Sequence, residues 1–202
     1  MLIDCRSLQV KQIRLRLPTT AIAICDTRVK HALVSSAYNE RRRECEQAVQ
    51  ILSERKPDVR ALRDIEMDDL NLLEDLPDPG RRRARHVVTE NGRTIHAAKA
   101  LAAGNVAELG KLMVESHESL RDDFEVSCCE LDVMFELALV QDGISGARMM
   151  GGGFGGCTIN LVEREKLDRF IEQMTEGYQQ ATGLLPVIHV IQPDDGVSEL
   201  FV

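Results

Sequence analysis

The stretch GARMMGGGFGGCTINLV, residues 146–162, places a run of glycines directly before a predicted strand. Five of the six residues from Gly151 to Gly156 are glycine, and Phe154 is the exception. Glycine loses the most backbone entropy on folding and brings no side chain to pack, so such a run weakens a strand. The segment CTINLV that follows is rich in β-branched and aliphatic residues and predicts a strand. The glycines therefore need a structural or a functional reason.

Two interpretations of the glycine run fit the residues alone. In the first, the glycines form a bulge or tight connection, in which the backbone adopts positive φ angles or passes close to another segment. In the second, their bare N–H groups line a concavity that holds an anion. The run is not a P-loop, because no Gly-Lys-Ser/Thr follows, and it is not a dinucleotide fingerprint, because it precedes a strand. The glycine pattern by itself leaves both interpretations open.

The composition limits the classes of function. The 202 residues are 44% hydrophobic and 29% charged, which is ordinary for a globular protein with a core. The formal net charge of −8 argues against non-specific nucleic-acid binding. The basic run RRRAR, Arg81–Arg85, is short, and we expect it to be a solvated helix start rather than a phosphate-binding patch. No apolar run reaches the length of about 18 residues that a transmembrane helix needs.

Cysteines and histidines form no recognisable disulfide or metal-site pattern. The six cysteines are scattered, with no C-x-x-C pair, and predict reduced, partly buried thiols. The five histidines lie far apart and have no zinc-type spacing with the cysteines, so no structural metal is expected. The N-terminus has an acid and a base within six residues and lacks the layout of a signal peptide. We therefore expect a cytoplasmic protein without a membrane or nucleic-acid partner.

Hydrophobic periodicity predicts an α+β fold, in which helices pack on an antiparallel sheet. Strands are predicted in MLID (1–4), IRLRLP (13–18), TAIAICDT (20–27), CTINLV (157–162) and PVIHVI (186–191). Helices are predicted from about 35 to 52, within 64–76, and over 84–102, 106–116, 127–140 and 165–181. The sequence SCCE, Ser127 to Glu130, has the spacing of a capping box at the start of the fifth helix. No internal repeat or long linker divides residues 1–202.

Three groups of polar residues have an ordinary structural interpretation and a less common functional one. The arginines favour a solvated face or ion pairs over phosphate contacts, and the acids favour caps and surface charge over a Mg²⁺ site. The histidines favour hydrogen bonds within the fold over acid–base catalysis. These residues are Arg41, Arg42, Arg43, Asp122, Asp123, Glu125, His86 and His117.

Four separated blocks carry a resemblance to a known family. They are CDTRVKHALVSSAYNERRRECEQAV (25–49), RARHVVTEN (83–91), ESHESLRDDFEVSCCELD (115–132) and GARMMGGGFGGC (146–157). Together with MLIDCRSL at the start, they resemble the galactokinases, a family of GHMP small-molecule kinases. The blocks occur in the family's order from Met1 to the last predicted strand, which makes the resemblance specific. It implies the α+β fold of the C-terminal domain of GHMP kinases.

The resemblance implies a role for the glycine run and for one tyrosine. In GHMP kinases this run is the third signature motif, an active-site loop at the junction of two domains, beside the sugar and the transferred phosphate. The glycines that would let the backbone approach these ligands are Gly151, Gly152, Gly153, Gly155 and Gly156. Phe154 would pack rather than bind. Tyr38 of the SSAYN block would contact the sugar through its phenol, whereas its helical spacing alone favours a core position.

The activity that the resemblance implies is transfer of the γ-phosphate of ATP to O1 of galactose, with Mg²⁺ as the metal. The family's sugar motif, phosphate loop and catalytic aspartate all precede MLIDCRSL in the family order. We therefore expect residues 1–202 to be a galactokinase-like C-terminal domain that lacks the N-terminal ATP-binding domain and is inactive alone. No catalytic residue, metal ligand or tightly bound cofactor is expected in this chain. Its expected partners are galactose and the missing N-terminal domain.

Two alternatives and three departures from the family pattern stay open. The alternatives are a kinase for a related sugar, such as N-acetylgalactosamine, and a non-enzymatic, galactokinase-like sugar sensor. Arg28 stands where a smaller or turn-forming residue is common, and Cys129 stands where proline is common. Met150 replaces the usual threonine, which removes a hydroxyl beside the glycine loop.

Overall fold

A central four-stranded antiparallel sheet organises the fold in the computed structural model, which describes residues 1–30 and 34–192. The strands are β1 (Leu2–Ile3), β2 (Val10–Lys11), β3 (Thr20–Lys30), β4 (Ile144–Met149), β5 (Gly155–Glu163) and β6 (Val187–Ile191). The α-helices are α1 (Val34–Arg55), α2 (Gly80–Ala103), α3 (Val106–Asp122), α4 (Cys129–Leu139) and α5 (Leu167–Thr182). The sheet order is β4-β5-β3-β6, while β1 and β2 form a separate pair. The predicted α+β architecture is confirmed.

Both faces of the sheet are covered by helices. On one face, Ala23 of β3 packs with Phe135 of α4 and Met174 of α5. On the other face, Ile22 of β3 packs with Leu109 of α3. Side chains of a strand alternate between faces, so two consecutive residues of β3 contribute to two different layers. This aliphatic packing suits a chain with only 3% aromatic residues.

The remaining helices form a second hydrophobic cluster beside the sheet. Leu52 of α1 and Val88 of α2 pack there with Leu73, which lies in the 3-10 helix Met67–Asp75. The short helix predicted within 64–76 is therefore present as a 3-10 helix. Within the described ranges, no helix is both long enough and apolar enough to span a bilayer.

Two strand predictions differ from the structure. The segment IRLRLP, 13–18, is not a strand; the short β2 lies just before it. Its apolar residues Leu15 and Leu17 pack against the cluster that contains Ile22, so their alternation reflects burial without strand pairing. Strand β4 is absent from the predicted strands, because Gly146 interrupts its short hydrophobic pattern.

The helix predicted over 127–140 is confirmed as α4, but the predicted capping box is wrong. Cys128 is the N-cap, and its side chain makes no capping hydrogen bond. The hydroxyl of Ser127 instead donates to Asp132 Oδ1 at 2.5 Å. The serine hydroxyl therefore bonds to a side chain in the second turn of the helix. It does not cap the backbone N–H groups of the first turn.

Two facing glycines bring α3 and β4 into backbone contact. A Cβ atom on Gly110 of α3 would lie 1.8 Å from the carbonyl oxygen of Ser145. A Cβ atom on Gly146 of β4 would lie 2.3 Å from the Cα of Gly110. No side chain fits between these backbones. Helix α3 therefore sets the position of β4, the strand that leads into the glycine run.

We predict that Gly110→Ala lowers the free energy of unfolding by about 2 kcal/mol or more, because the added methyl group must push α3 away from β4. Urea unfolding of the purified chain measures this change. Gly92→Ala in α2 is the matched control, since its Cβ would meet Met67 Sδ at an ordinary 3.7 Å. There the better helix propensity of alanine is expected to stabilise the chain by up to about 1 kcal/mol. Equal effects of the two substitutions would contradict the close packing.

Candidate functional site

The glycine run forms the connection between β4 and β5. The Met150 N–H donates to the Cys157 carbonyl at 3.0 Å, which closes the connection as a tight loop. Strand β5 already begins at Gly155, so Gly155 and Gly156 lie in the strand. We call residues 150–154 the glycine turn. The observed loop therefore ends before the glycine run does, since the last two glycines of the run belong to β5.

Backbone conformation explains most of the glycines. The φ angles are +77° at Gly151, +83° at Gly153, +118° at Gly155 and +88° at Gly156, values that side chains disfavour. At Gly153 there is also no room, because a Cβ would lie 2.1 Å from the Val126 carbonyl oxygen. The structural interpretation of the run, positive φ and close approach, is thus borne out at these positions.

Three glycines of the same run have empty space where a side chain would lie. A Cβ on Gly151, Gly152 or Gly156 would meet nothing within 4 Å among the atoms of the described residues. Gly151 and Gly152 are exposed, and so is Met150 beside them, with 39% of its surface accessible. The tip of the turn therefore presents bare backbone that a ligand can approach closely.

The turn is fastened to the segment between α3 and α4. The Phe154 N–H donates to the Val126 carbonyl at 2.7 Å. The Phe154 ring packs with the cluster of Val126, Leu131 and Met149, which agrees with its expected packing role. Phe154 adopts a φ of +58°, a conformation that is uncommon for a bulky residue and is held here by these contacts.

A bulge in β3 supports the other end of the turn. The register between β3 and β5 shifts between Asp26 and Lys30. Within the bulge, the Thr27 hydroxyl donates to the Gly156 carbonyl at 2.7 Å. Arg28 has a φ of +63°, and its N–H donates to Asp26 Oδ1 at 2.7 Å. The arginine at this unusual position therefore occupies a left-handed turn that the aspartate stabilises.

One arginine of the RRRAR run contradicts the prediction of a solvated helix start. Arg83 is only 1% exposed. Its guanidinium donates to Glu44 of α1 at 2.7 Å, to Glu125 at 2.5 Å and to the Asp123 carbonyl at 2.6 Å. No local pattern distinguishes Arg83 from its neighbours, because its partners lie 39 to 42 residues away. We call Arg83, Glu44 and Glu125 the buried ion cluster after its buried guanidinium, since the Glu125 side chain is itself 41% exposed.

The buried ion cluster joins α1 and α2 to the segment that holds the turn. Arg41 of α1 donates to the Glu125 carbonyl at 3.3 Å and to Glu44 at 3.1 Å, so the expected structural ion pair is confirmed for this arginine. Hydrogen bonds from Arg82 and Arg83 lower the pKa of Glu125 to about 2. The next residue, Val126, accepts the N–H of Phe154 in the turn.

Tyr38 lies on the face of α1 that points toward the Glu125 segment. It precedes Arg41 by three residues, a spacing that places two side chains on the same face of a helix. The side chain is 57% exposed, which makes the core position suggested by spacing wrong. Residues 31–33, which precede α1, lie outside the described part of the chain. The glycine turn contacts the segment that contains Glu125 and Val126, and Arg41, which shares a helical face with Tyr38, contacts the same segment.

His86 and His117, which lie in two of the blocks that carry the family resemblance, are hydrogen-bonded within the fold, as expected. His86 Nδ1 lies 2.9 Å from the Ser119 hydroxyl, which in turn donates to Asp123 at 3.1 Å. His117 is fully buried, and its Nδ1 accepts the Met149 N–H at 3.0 Å. Burial lowers the pKa of each imidazole to about 4. Both rings are therefore neutral at pH 7.

The acidic residues are engaged by arginines and hydroxyls. Asp122 accepts from Arg121 at 2.7 Å, while Asp123 accepts from Ser119. Within residues 1–30 and 34–192, no group of three or more His, Cys, Asp or Glu side chains could hold a metal ion. The part of the chain that the structure describes therefore offers no ready Mg²⁺ site.

Comparison with known families defines the class of the fold. Residues 97–180 match the family described as GHMP kinases C terminal. The crystal structure of L. major mevalonate kinase in complex with R-mevalonate superimposes with a TM-score of 0.55 at 19% identity, which shows the shared fold. It covers 92% of this chain and 46% of that one. Residues 97–180 therefore resemble the C-terminal domain of GHMP kinases.

Closer relatives are galactokinases. The galactokinase of Roseiflexus sp. (strain RS-1) is 44% identical over 201 residues, covering 99% of this chain and 51% of the relative. The galactokinase of Homo sapiens is 43% identical over 201 residues, covering 99% and 49%. The structure of Lactococcus lactis galactokinase complexed with galactose superimposes with a TM-score of 0.91 at 36% identity, covering 98% of this chain and 51% of that one. The chain resembles the C-terminal portion of galactokinases, and spans about half the length of these relatives.

We predict that Arg83→Met lowers the free energy of unfolding by about 2 kcal/mol, because Glu44 and Glu125 lose their buried partner and keep only the hydrogen bonds from Arg41 and Arg82. Arg42→Met is the matched control, since Arg42 is 71% exposed in its pair with Glu46. An exposed pair of this kind contributes about 0.5 kcal/mol or less. Urea unfolding of both variants tests the difference, and a loss of less than about 1 kcal/mol for Arg83→Met would refute the importance of the buried ion cluster.

We also predict that the free energy of unfolding decreases as the pH is lowered below about 6.5, the ordinary histidine pKa in an unfolded chain. The folded pKa values of His86 and His117 are lowered to about 4, so unfolding takes up protons between these values. Each histidine should contribute a slope of about 1.4 kcal/mol per pH unit in this window. Urea unfolding from pH 7.5 to 5 measures the slope. His86→Gln should remove about half of it, and an unchanged slope in this variant would contradict the prediction.

Proposed function

We propose that this chain forms the sugar-binding side of a kinase that transfers the γ-phosphate of ATP to O1 of galactose. Its curated relatives are named galactokinase, and a structurally similar relative was crystallised with galactose. The observation that carries the proposal is the exposed glycine turn, which is hydrogen-bonded to the segment that Arg41, on the helical face of Tyr38, also contacts. Bare backbone together with the exposed phenol of Tyr38 is suited to a small polyhydroxy ligand.

The proposal gives each part of the site a binding or positioning task. The Tyr38 hydroxyl exchanges a hydrogen bond with a sugar hydroxyl. Gly151 and Gly152 allow the backbone to approach the sugar and the transferred phosphate, since their Cβ positions are empty. Phosphoryl transfer depends chiefly on positioning and on stabilisation of charge, so a rigid turn of this kind serves the reaction directly.

The described residues fit Mg²⁺ poorly. The described residues contain no cluster of carboxylates or other ligands for a metal ion. The acids nearest the site, Asp123 and Glu125, are already hydrogen-bonded to Ser119 and to arginines. We therefore assign the nucleotide, the metal and the catalytic group to the part of the family's proteins that this chain does not match, and expect the isolated chain to show no turnover.

A chimera tests the proposed function. The portion of the Roseiflexus galactokinase that precedes the matched region is joined to this chain, and ATP-dependent phosphorylation of galactose is measured. We expect turnover by the chimera and by the parental Roseiflexus enzyme, and none by the isolated chain. A folded chimera that binds galactose without turnover would favour the sugar-sensor alternative. Turnover with N-acetylgalactosamine in preference to galactose would favour a kinase for the related sugar.

In the chimera, Tyr38→Phe is predicted to lower kcat/KM for galactose about tenfold, the effect of one lost hydrogen bond. Tyr178→Phe is the matched control, because Tyr178 is fully buried and its hydroxyl donates to the Thr27 carbonyl at 3.0 Å. That change should cost about 1 kcal/mol of stability without raising the KM for galactose. The same kcat/KM for Tyr38→Phe and the unaltered chimera would remove Tyr38 from the sugar site.

A further inference from the structure

His117 lies directly behind the start of the glycine turn. His117 belongs to α3, and its side chain is fully buried. The imidazole stacks on Phe135 of α4 with ring centroids 3.7 Å apart. Nδ1 accepts the N–H of Met149, the last residue of β4, at 3.0 Å. Met150, the next residue, opens the turn. One side chain from a helix thus binds the backbone at the point where the strand ends.

The hydrogen bond to Met149 fixes the protonation state of the ring. An imidazole nitrogen that accepts from an N–H carries no proton, so the neutral ring holds its proton on Nε2. Nε2 has no hydrogen-bond partner among the described residues, and it faces Asp132 Oδ1 at 3.6 Å. Asp132 is held in turn by the Ser127 hydroxyl at 2.5 Å. The ring is therefore oriented by stacking and by this acidic neighbour, with Nδ1 aimed at the strand.

Burial, helped by two arginines, keeps the His117 ring neutral and therefore able to accept a hydrogen bond. Arg121 and Asp122 lie on its own helix, Arg148 lies on β4, and Asp132 lies on α4. Burial, followed by the two arginines, lowers the pKa of the imidazole to about 4, and Asp122 opposes this effect. An imidazolium would carry protons on both nitrogens and could not accept the Met149 N–H. The neutral ring persists at every pH above about 5.

We propose that His117 is a positioning residue, which holds the entry of the glycine turn in place by accepting the Met149 N–H. Besides the bond from the Met150 N–H to the Cys157 carbonyl, which closes the turn, other elements among the described residues attach its backbone at three points: His117 at Met149, Val126 at Phe154, and Thr27 at Gly156. Val126 and Thr27 attach its exit, so His117 alone of these three holds its entry. The consequence for phosphoryl transfer rests on the proposed function of the turn, whereas the effect on the turn itself does not.

Two substitutions separate this hydrogen bond from packing. His117→Asn keeps an acceptor near the position of Nδ1, and His117→Leu keeps similar bulk without an acceptor; both lose the stacked ring. In the 202-residue chain, amide exchange of Met149 and Met150 is expected to be about tenfold faster in the Leu variant than in the Asn variant. Equal exchange rates in the two variants would reduce His117 to a packing role and overturn the proposal.

The unaltered chain provides a test that does not depend on variants folding. A long-range ¹⁵N–¹H correlation at pH 7 reports which imidazole nitrogen carries the proton. An unprotonated Nδ1 supports the proposal, and a protonated Nδ1 overturns it, because that nitrogen could not accept from Met149.

In the chimera, kcat for galactose is expected to fall about tenfold in the Leu variant, with KM nearly unchanged, and to recover in the Asn variant. If both variants keep the unaltered kcat, His117 does not position the turn for the reaction. If the unaltered chimera is inactive while the exchange difference persists, the proposed function fails and the attachment of the turn by His117 stands.

Discussion

The buried guanidinium of Arg83 is the contact on which the arrangement of the site depends. It binds Glu44 of α1 and Glu125 after α3 from a position on α2, so three separate parts of the chain meet at one charge. A charge this buried is costly to leave unpaired, which couples the positions of all three elements. The face of α1 that carries Tyr38 and the segment that holds the glycine turn are consequently set by the same interaction.

Close backbone contacts fix the position of the glycine turn relative to the helices. Gly110 and Gly146 let α3 lie directly on β4, and Gly153 lets the turn lie directly on Val126. Glycine therefore serves two purposes in this fold. At these positions it removes a side chain so that two backbones can touch, and at Gly151 and Gly152 it leaves the surface bare. The first use makes the turn rigid, and the second keeps it accessible to a ligand.

Local patterns predicted the elements of the fold better than its contacts. The short run of aliphatic and β-branched residues in β3 and the helical spacing in α3 and α5 identified these elements, because each pattern depends on neighbouring residues. The alternation of residues 13–18 was misleading, since leucines there are buried without strand pairing. The RRRAR run could not reveal the burial of Arg83, because its carboxylate partners lie 39 and 42 residues away. Tyr38 entered the site through the family resemblance, and its helical spacing alone pointed to the core.

The most direct test of the account is a crystal structure of the chimera with galactose bound, in which the distance from the Tyr38 hydroxyl to the sugar is measured. The account predicts a sugar hydroxyl about 2.5–3.0 Å from the Tyr38 oxygen. It also predicts that the backbone of Gly151 and Gly152 is in van der Waals contact with the ligand, at about 3.5–4.0 Å. Galactose bound away from both Tyr38 and the glycine turn would contradict the assignment of this surface as the sugar site.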